Sequence, residues 1–142
     1  MREIEKGRVL EKLNIINDSL LKLEELASLS IEQFMSDFRN YDSAKYNLIK
    51  AIEAMIDVGN HIIARRGLGI PKSFSETFEI LGNNGIVSKD SVETYKAMAR
   101  FRNRLVHFYY RVDDKEVYDI LKNNLLDFEN FIESIELFLK SL

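Results

Sequence analysis

Apolar residues recur at steps of three and four along most of the chain, which is the spacing typical of amphipathic helices. No segment alternates apolar and polar residues between turn signals over the length that a strand needs. The C-terminal segment shows the helical spacing most clearly, with one apolar stripe made of Val117, Leu121, Leu125, Phe128, Ile132, Ile135 and Leu139. The pattern predicts helices at about 3–27, 31–37, 42–66, 74–82, 90–111 and 114–140.

The predicted helix starts are marked by residue pairs with capping-box spacing, in which side chains three positions apart satisfy each other's backbone amides. These pairs are Ser30 with Gln33, Ser73 with Glu76, Asp90 with Glu93, and Asp113 with Glu116. The RGLGIP and GNNG segments predict loops. Gly59 falls on the apolar line of the 42–66 helix, where a glycine is most simply explained by a neighbouring helix that approaches closely.

Long helices joined by short connections are typical of an antiparallel bundle. The chain has 142 residues, of which 46% are hydrophobic, and this is enough to bury one core. We therefore expect an all-α fold, an antiparallel four-helix bundle with additional short helices, formed by a single domain over residues 1–142.

Composition narrows the possible environments and partners. The absence of cysteine excludes disulfides and thiolate metal sites. Charged and apolar residues alternate at the N-terminus, unlike a signal peptide, and no apolar run approaches the length of a membrane span. A net charge of −3 argues against a protein that coats nucleic acid non-specifically. The sequence thus predicts a cytoplasmic protein without membrane contact.

One segment departs from this acidic average. RFRNRLVHFYYRV, residues 100–112, holds four arginines, one of the chain's two histidines and two tyrosines, with no acidic residue. On a helical wheel, Arg102 and Tyr109 fall in an apolar arc with Phe101. The opposite side is a polar and basic strip made of Lys96, Arg100, Asn103, Arg104, His107 and Arg111. The segment is a candidate anion site.

The position of Arg102 in an apolar arc needs an explanation, because an unpaired buried guanidinium is costly in free energy. Arg102 pairs with a bundle carboxylate such as Glu53 or Asp57 in one interpretation. In another, the helix bends or ends near His107, so that Arg102 and His107 converge on one cleft. If the apolar arc instead faces a second copy of the chain, Phe101 is expected at the interface.

An arginine and a histidine together can cleave RNA without a metal, because the histidine acts as base or acid and the guanidinium stabilises the phosphorane. A two-histidine mechanism needs either His61 or a second His107 from a two-fold dimer. Asp57 and His61, four residues apart, form either a solvated pair or a support for the site, and alone they make a poor metal site. Tyr109 either ends the helix as an amphipathic residue or stacks on a base.

The stretch RNRLVHFY, residues 102–109, resembles the signature of the HEPN superfamily, and in particular of its HepT-type toxins. Every element of that signature is present, namely Arg102, the polar Asn103, four residues between arginine and histidine, His107 and, two residues later, Tyr109. The segment AIEAMIDVGNHIIAR, residues 51–65, and the IP turn at residues 70–71 also resemble the family. The resemblance in order and spacing extends from about residue 30 to 140.

The resemblance implies a helical bundle that forms a two-fold dimer and cleaves RNA, without metal or cofactor, in a cleft shared by both copies. Arg102 and His107 are then the catalytic pair, with Asn103 as a polar helper that positions the substrate or the histidine. Tyr109 is the residue to which a minimal nucleotidyltransferase antitoxin transfers AMP, as in a type VII-like toxin–antitoxin pair. Supporting roles are expected for Arg100 and Arg104 of the basic segment and for Asp57 and His61 of the 42–66 helix.

The function expected first is therefore that of an endoribonuclease toxin. Its expected partners are RNA, the nucleotidyltransferase antitoxin and a second copy of the chain, and assembly with the antitoxin beyond the dimer is left open. Two alternatives stand beside it. One is a non-catalytic helical module that binds a nucleotide or a nucleotidyltransferase partner, and the other is a purely structural helical dimer.

Overall fold

The computed structural model describes residues 2–142 and is helical without a strand over that range. Its α-helices are α1 (Lys6–Ala27), α2 (Ile31–Met35), α3 (Phe38–Arg66), α4 (Phe74–Asn83), α5 (Val92–His107), α6 (Asp114–Asn123) and α7 (Leu125–Lys140). Two short 3-10 turns, Lys89–Ser91 and Tyr109–Arg111, flank α5. The all-α prediction is confirmed. Between residues 2 and 142, none of the helices is both long enough and apolar enough for a membrane crossing.

The central element of the bundle is α3, which packs against α1, α2, α4, α5 and α6. α5 runs antiparallel to α3, because Arg102 contacts Glu53 whereas Tyr109, further along the chain, contacts the earlier residue Lys45. Aromatic rings from three helices meet in the core, where Phe78, Tyr95 and Phe131 lie 5.5–6.1 Å apart between ring centroids. Other large side chains that are fully buried are Ile16, Leu23, Phe34, Leu48, Ile52, Met55, Ile62, Ile63 and Phe128.

The last predicted helix, 114–140, is wrong as one continuous element, because it is divided at Asn124 into α6 and α7. Asn124 leaves the helical region, with φ −125° and ψ 4°, and its amide Nδ2 donates a hydrogen bond to Asp127 Oδ2 at 3.2 Å. Asparagine side chains compete for backbone-like hydrogen bonds and so favour helix ends. The apolar stripe continues across the break, and the spacing pattern therefore did not reveal it.

Three of the four predicted capping pairs mark helix starts in the structure. Ser30 and Gln33 form the full reciprocal capping box at α2. Ser73 caps α4 and Asp113 caps α6, each by accepting one backbone amide hydrogen bond. The Asp90 cap is wrong, because Ser88 caps the preceding 3-10 turn and α5 begins only at Val92.

Gly59 marks the closest approach between α3 and α4. A Cβ atom added at this glycine would lie 2.7 Å from Thr77 Cγ2 and 3.1 Å from Leu81 Cδ1, well inside van der Waals contact. Thr77 is also tied to α3 by its Oγ1, which donates to Asn60 Oδ1 at 2.7 Å. The predicted close approach of a neighbouring helix at Gly59 is confirmed.

Candidate active site

The basic segment ends α5 and turns away from it. α5 is regular through His107, Phe108 leaves the helical region with φ −135° and ψ 40°, and Tyr109–Arg111 form a 3-10 turn. The predicted helix of 90–111 is therefore too long at this end, and Tyr109 is not on the same helix as Arg102. The turn redirects the tyrosine toward the beginning of α3, where its hydroxyl finds an acceptor.

Arg102 is held on three sides. Its side chain is only 18% exposed, and one guanidinium nitrogen lies 3.3 Å from Glu53 Oε1. The other terminal nitrogen donates to Asn103 Oδ1 at 3.1 Å, and the guanidinium carbon lies 5.1 Å from the centroid of the Phe74 ring. The predicted pairing of Arg102 with Glu53 is confirmed. Asn103, expected to position the substrate or the histidine, accepts a hydrogen bond from the arginine. Together these contacts fix the plane of the guanidinium.

His107 is exposed at the last turn of α5, with its ring 6.5 Å from that of Phe108. It lies five positions after Arg102 on a regular helix, which places the two side chains roughly 140° apart around the axis and about 7.5 Å apart along it. The helix does end near His107, but it ends after the histidine. One chain alone therefore presents the arginine and the histidine on different faces of α5.

Phe101 lies beside Arg102 in the apolar arc but does not face outward. Its side chain is buried in the hydrophobic core together with Leu105 and Ala99. The expectation that Phe101 lies at an interface between copies is therefore wrong. The large apolar side chains that α5 and its following turn leave exposed are Val106, Phe108 and Tyr110.

Tyr109 joins a polar cluster that the sequence analysis did not predict. Its hydroxyl donates a hydrogen bond to Asp42 Oδ1 at 2.8 Å. Lys45 Nζ, on a side chain that is 4% exposed, donates to the backbone oxygen of Tyr109 at 3.3 Å and lies 4.5 Å from the centroid of its ring. The same Nζ is 2.8 Å from Asp114 Oδ1, an ion pair without the angles of a hydrogen bond.

Burial raises the pKa of the Tyr109 hydroxyl above its ordinary range, and its hydrogen bond to Asp42 raises it further. The phenol is therefore held in its protonated form. A signal for this cluster exists in the sequence, because Lys45 lies three residues before Leu48 on the apolar line of α3. A lysine at such a position needs a carboxylate partner for the same reason as Arg102 does.

In the folded protein, carboxylates from other helices neutralise part of the basic strip. Arg104 binds both carboxylate oxygens of Glu116 from α6, at 2.8 and 2.9 Å, and Lys96 pairs with Glu79 from α4. The Glu116 carboxylate has a lowered pKa because it accepts hydrogen bonds from Arg104. Arg100 is exposed on α5, and Arg111 is exposed in the turn that follows it. The cationic surface is thus concentrated around the end of α5.

Asp57 and His61 do not pair with each other, contrary to the spacing-based expectation. Asp57 Oδ2 lies 3.1 Å from Lys12 Nζ of α1, and His61 Nε2 accepts a hydrogen bond from the Glu5 backbone amide at 3.2 Å. Burial lowers the pKa of His61, and the nearby cations Arg8 and Arg65 lower it further. Through these contacts, both residues help to join α1 to α3. Over residues 2–142, no cluster of three or more histidine, aspartate or glutamate side chains is arranged to hold a metal ion.

The geometry at the end of α5 can be compared with known proteins. The model of the family described as ribonuclease HepT-like matches residues 16–135. The chain belongs to the ribonuclease HepT-like family. The HepT-like chain is 36% identical to the mRNA nuclease HepT of Shewanella oneidensis over 104 residues, which are 73% of this chain and 78% of that protein. It is 25% identical to the tRNA nuclease HepT of Aphanizomenon flos-aquae over 142 residues, 100% of this chain and 97% of that protein.

Solved structures extend the HepT-like comparison to the fold. A structure of the tri-AMPylated Shewanella oneidensis HEPN toxin in complex with MNT antitoxin matches with a TM-score of 0.84 at 31% identity, over 92% of this chain and 97% of the other. The family match spans both partners of the Tyr109–Asp42 hydrogen bond and both residues of the Arg102–Glu53 pair. The candidate site thus lies within the HepT-like part of the chain.

Proposed function

We propose that this HepT-like protein is an endoribonuclease toxin, neutralised when a nucleotidyltransferase antitoxin transfers AMP to Tyr109. The observation that carries the proposal is the match to an AMPylated HEPN toxin bound to its antitoxin, at 31% identity over 92% of this chain. Relatives named as mRNA and tRNA nucleases support the ribonuclease activity. Tyr109 follows the Arg102–His107 pair in the chain and lies in the turn directly after α5.

The cleavage step fits the residues at the end of α5. In metal-free RNA cleavage, the 2′-oxygen attacks the adjacent phosphorus as a base removes its proton, and an acid protonates the departing 5′-oxygen. The His107 imidazole can serve either role, and the Arg102 guanidinium, oriented by Glu53 and Asn103, can stabilise the phosphorane charge. A bound phosphate would compete with Glu53 for the same guanidinium nitrogens.

We also propose a two-fold dimer in which both copies of α5 line one cleft. Arg102 and His107 lie on different faces of a single α5, so a second copy can supply the missing residue on each side. Apolar side chains around the end of α5 support a protein contact there: Val106 is 42% exposed, Phe108 52% and Tyr110 95%. The polar cleft and an apolar contact would then share the same end of the helix.

The test compares RNA cleavage by the wild-type protein and by His107→Ala in EDTA. We expect the wild type to cleave, and the variant to fold normally but to cleave at least about 100-fold more slowly, because one proton-transfer group is lost. Lys140→Ala, which removes an exposed cation at the end of α7, is the matched control and should cleave like the wild type. Retained cleavage by His107→Ala would remove the histidine from the mechanism.

A further inference from the structure

The Tyr109 hydroxyl is held by a carboxylate from a distant part of the chain. Asp42 lies in the first two turns of α3, 67 residues before the tyrosine, and its Oδ1 accepts the phenolic proton at 2.8 Å. Both side chains are half-buried. An ionised carboxylate can only accept hydrogen bonds, so the phenol is the donor in this contact.

This contact bears on how the tyrosine can react. A phenol becomes a nucleophile toward phosphorus only as its proton leaves. Burial and Asp42 raise the pKa of Tyr109, so the phenolate is scarce at neutral pH and a base within hydrogen-bond reach is needed. Asp42 is the carboxylate that already holds the proton which must be lost.

We propose that Asp42 is the general base for the transfer of AMP to Tyr109. The step rests on the proposed function, in which the tyrosine reacts with ATP bound to the antitoxin. Tyr109 Oη attacks the α-phosphorus, and a new oxygen–phosphorus bond forms. The bond between that phosphorus and the bridging oxygen to the β-phosphate breaks, and pyrophosphate leaves with the bonding pair. The phenolic proton passes to Asp42 Oδ1.

Lys45 acts as a positioning residue for the same step. Its Nζ lies 4.5 Å from the centroid of the Tyr109 ring and donates to the backbone oxygen of that residue at 3.3 Å. Asp114 anchors the lysine from the first turn of α6. The ring is thus fixed from its backbone side while Asp42 fixes its hydroxyl, and the reacting oxygen is left with one defined position. The toxin, in this view, contributes a catalytic group to its own modification.

The experiment measures AMP incorporation into the HepT-like chain by its nucleotidyltransferase partner with ATP and Mg²⁺, with the chain as the varied substrate. Asp42→Asn keeps the size and a hydrogen-bond acceptor but removes the basic carboxylate. We expect kcat to fall about 100-fold or more, with KM for the chain within about threefold of the wild-type value. Asp119→Asn is the matched control, because it makes the same chemical change at an exposed position on α6.

A second variant separates basicity from structure. Replacement of Tyr109 by 3,5-difluorotyrosine makes the phenol more acidic, so that it needs less help from a base. In the Asp42→Asn background, this replacement should restore at least about tenfold of the lost kcat. A purely structural role for Asp42 predicts no such rescue.

The outcomes are distinct. A kcat for Asp42→Asn within about threefold of the wild-type value overturns the assignment of Asp42, as does an equal loss in Asp119→Asn or the absence of rescue by the fluorinated tyrosine. If the wild-type chain receives no AMP at Tyr109 from its partner, the proposed function fails, and the role of Asp42 fails with it. Thermal unfolding of each variant verifies that the compared proteins are folded.

Discussion

Two cations, Arg102 and Lys45, occupy the apolar faces of their helices, and each is paired with a carboxylate from another helix. Arg102 contacts Glu53 of α3, and Lys45 contacts Asp114 of α6. A buried cation is costly without such a partner, and removal of one partner leaves an uncompensated charge. The paired residues are 49 and 69 positions apart in sequence. These side chains therefore specify which helices meet at the end of α5.

The pH dependence of stability is expected to include His61. Its pKa is lowered in the folded protein, first by burial, so the folded state favours the neutral ring whose Nε2 accepts the Glu5 amide hydrogen bond. The stabilisation is therefore complete above the unfolded pKa of about 6.5 and is lost as pH falls below it. We expect a loss of up to about 1 kcal/mol between pH 8 and 5, since the ring is partly exposed.

Thermal unfolding between pH 8 and 5 measures the contribution of His61 to stability. In His61→Gln the side-chain oxygen can still accept the amide hydrogen bond but does not titrate. The wild type should lose about 2–4 °C more in Tm than His61→Gln over this range, because all other titrating groups are shared. Parallel curves for the two proteins would assign the acid sensitivity to other groups.

At the scale of elements, the junction of α3 and α4 is set by the absence of a side chain at Gly59. Gly59→Ala places a methyl group 2.7 Å from Thr77 Cγ2, so either the Thr77 side chain or the two helices must shift. We expect a loss of about 1–2 kcal/mol in the free energy of unfolding, because an overpacking cost of about 1–3 kcal/mol exceeds the gain of up to about 1 kcal/mol in helix propensity.

Urea unfolding of Gly59→Ala and Gly7→Ala provides the measurement. Gly7 lies at the start of α1, and an added Cβ there meets nothing within 4 Å. Gly7→Ala should therefore be neutral or stabilising by a few tenths of a kcal/mol. If Gly59→Ala proves as stable as the wild type, the contact between α3 and α4 is more compliant than its distances indicate.

The positions of the helices were predictable from the sequence because a buried apolar stripe repeats every three or four residues. The close helix contact at Gly59 was predictable because a glycine within a helix costs stability, and the lack of space for a side chain explains why it is there. The break at Asn124 was not predictable, since the apolar stripe passes through it unchanged. The helical wheel also placed Tyr109 on the same face as Arg102. In the structure, the backbone turns at Phe108, and the Tyr109 side chain contacts Asp42 instead. Contacts between distant segments depend on packing, which local spacing does not encode.

At the scale of the whole molecule, the proposed dimer makes activity depend on association. Val106→Glu introduces a charge on the exposed apolar surface beside His107. We expect the variant to be folded but largely monomeric, because an unpaired charge in an apolar contact costs several kcal/mol. Its RNA cleavage should fall in parallel, since each cleft then lacks the residues of the second copy.

Light scattering after size-exclusion chromatography gives the association state, and cleavage is measured on the same preparation. Leu21→Glu is the control, because Leu21 is equally apolar and 65% exposed on α1. It should retain both dimer and activity. Full cleavage by a monomeric Val106→Glu protein would show that one chain carries a complete site.

The pairs that build the site have a consequence for the chain during its synthesis. Asp42, Lys45 and Glu53 lie on α3, whereas their partners Tyr109, Asp114 and Arg102 follow more than 45 residues later. Contacts over such separations form only when the later segment is available to fold back. A chain still on the ribosome therefore has no organised site until α6 begins to emerge. Under the proposed function, RNA cleavage therefore begins only after most of the chain has been translated, and Asp42 holds Tyr109 only from that point on.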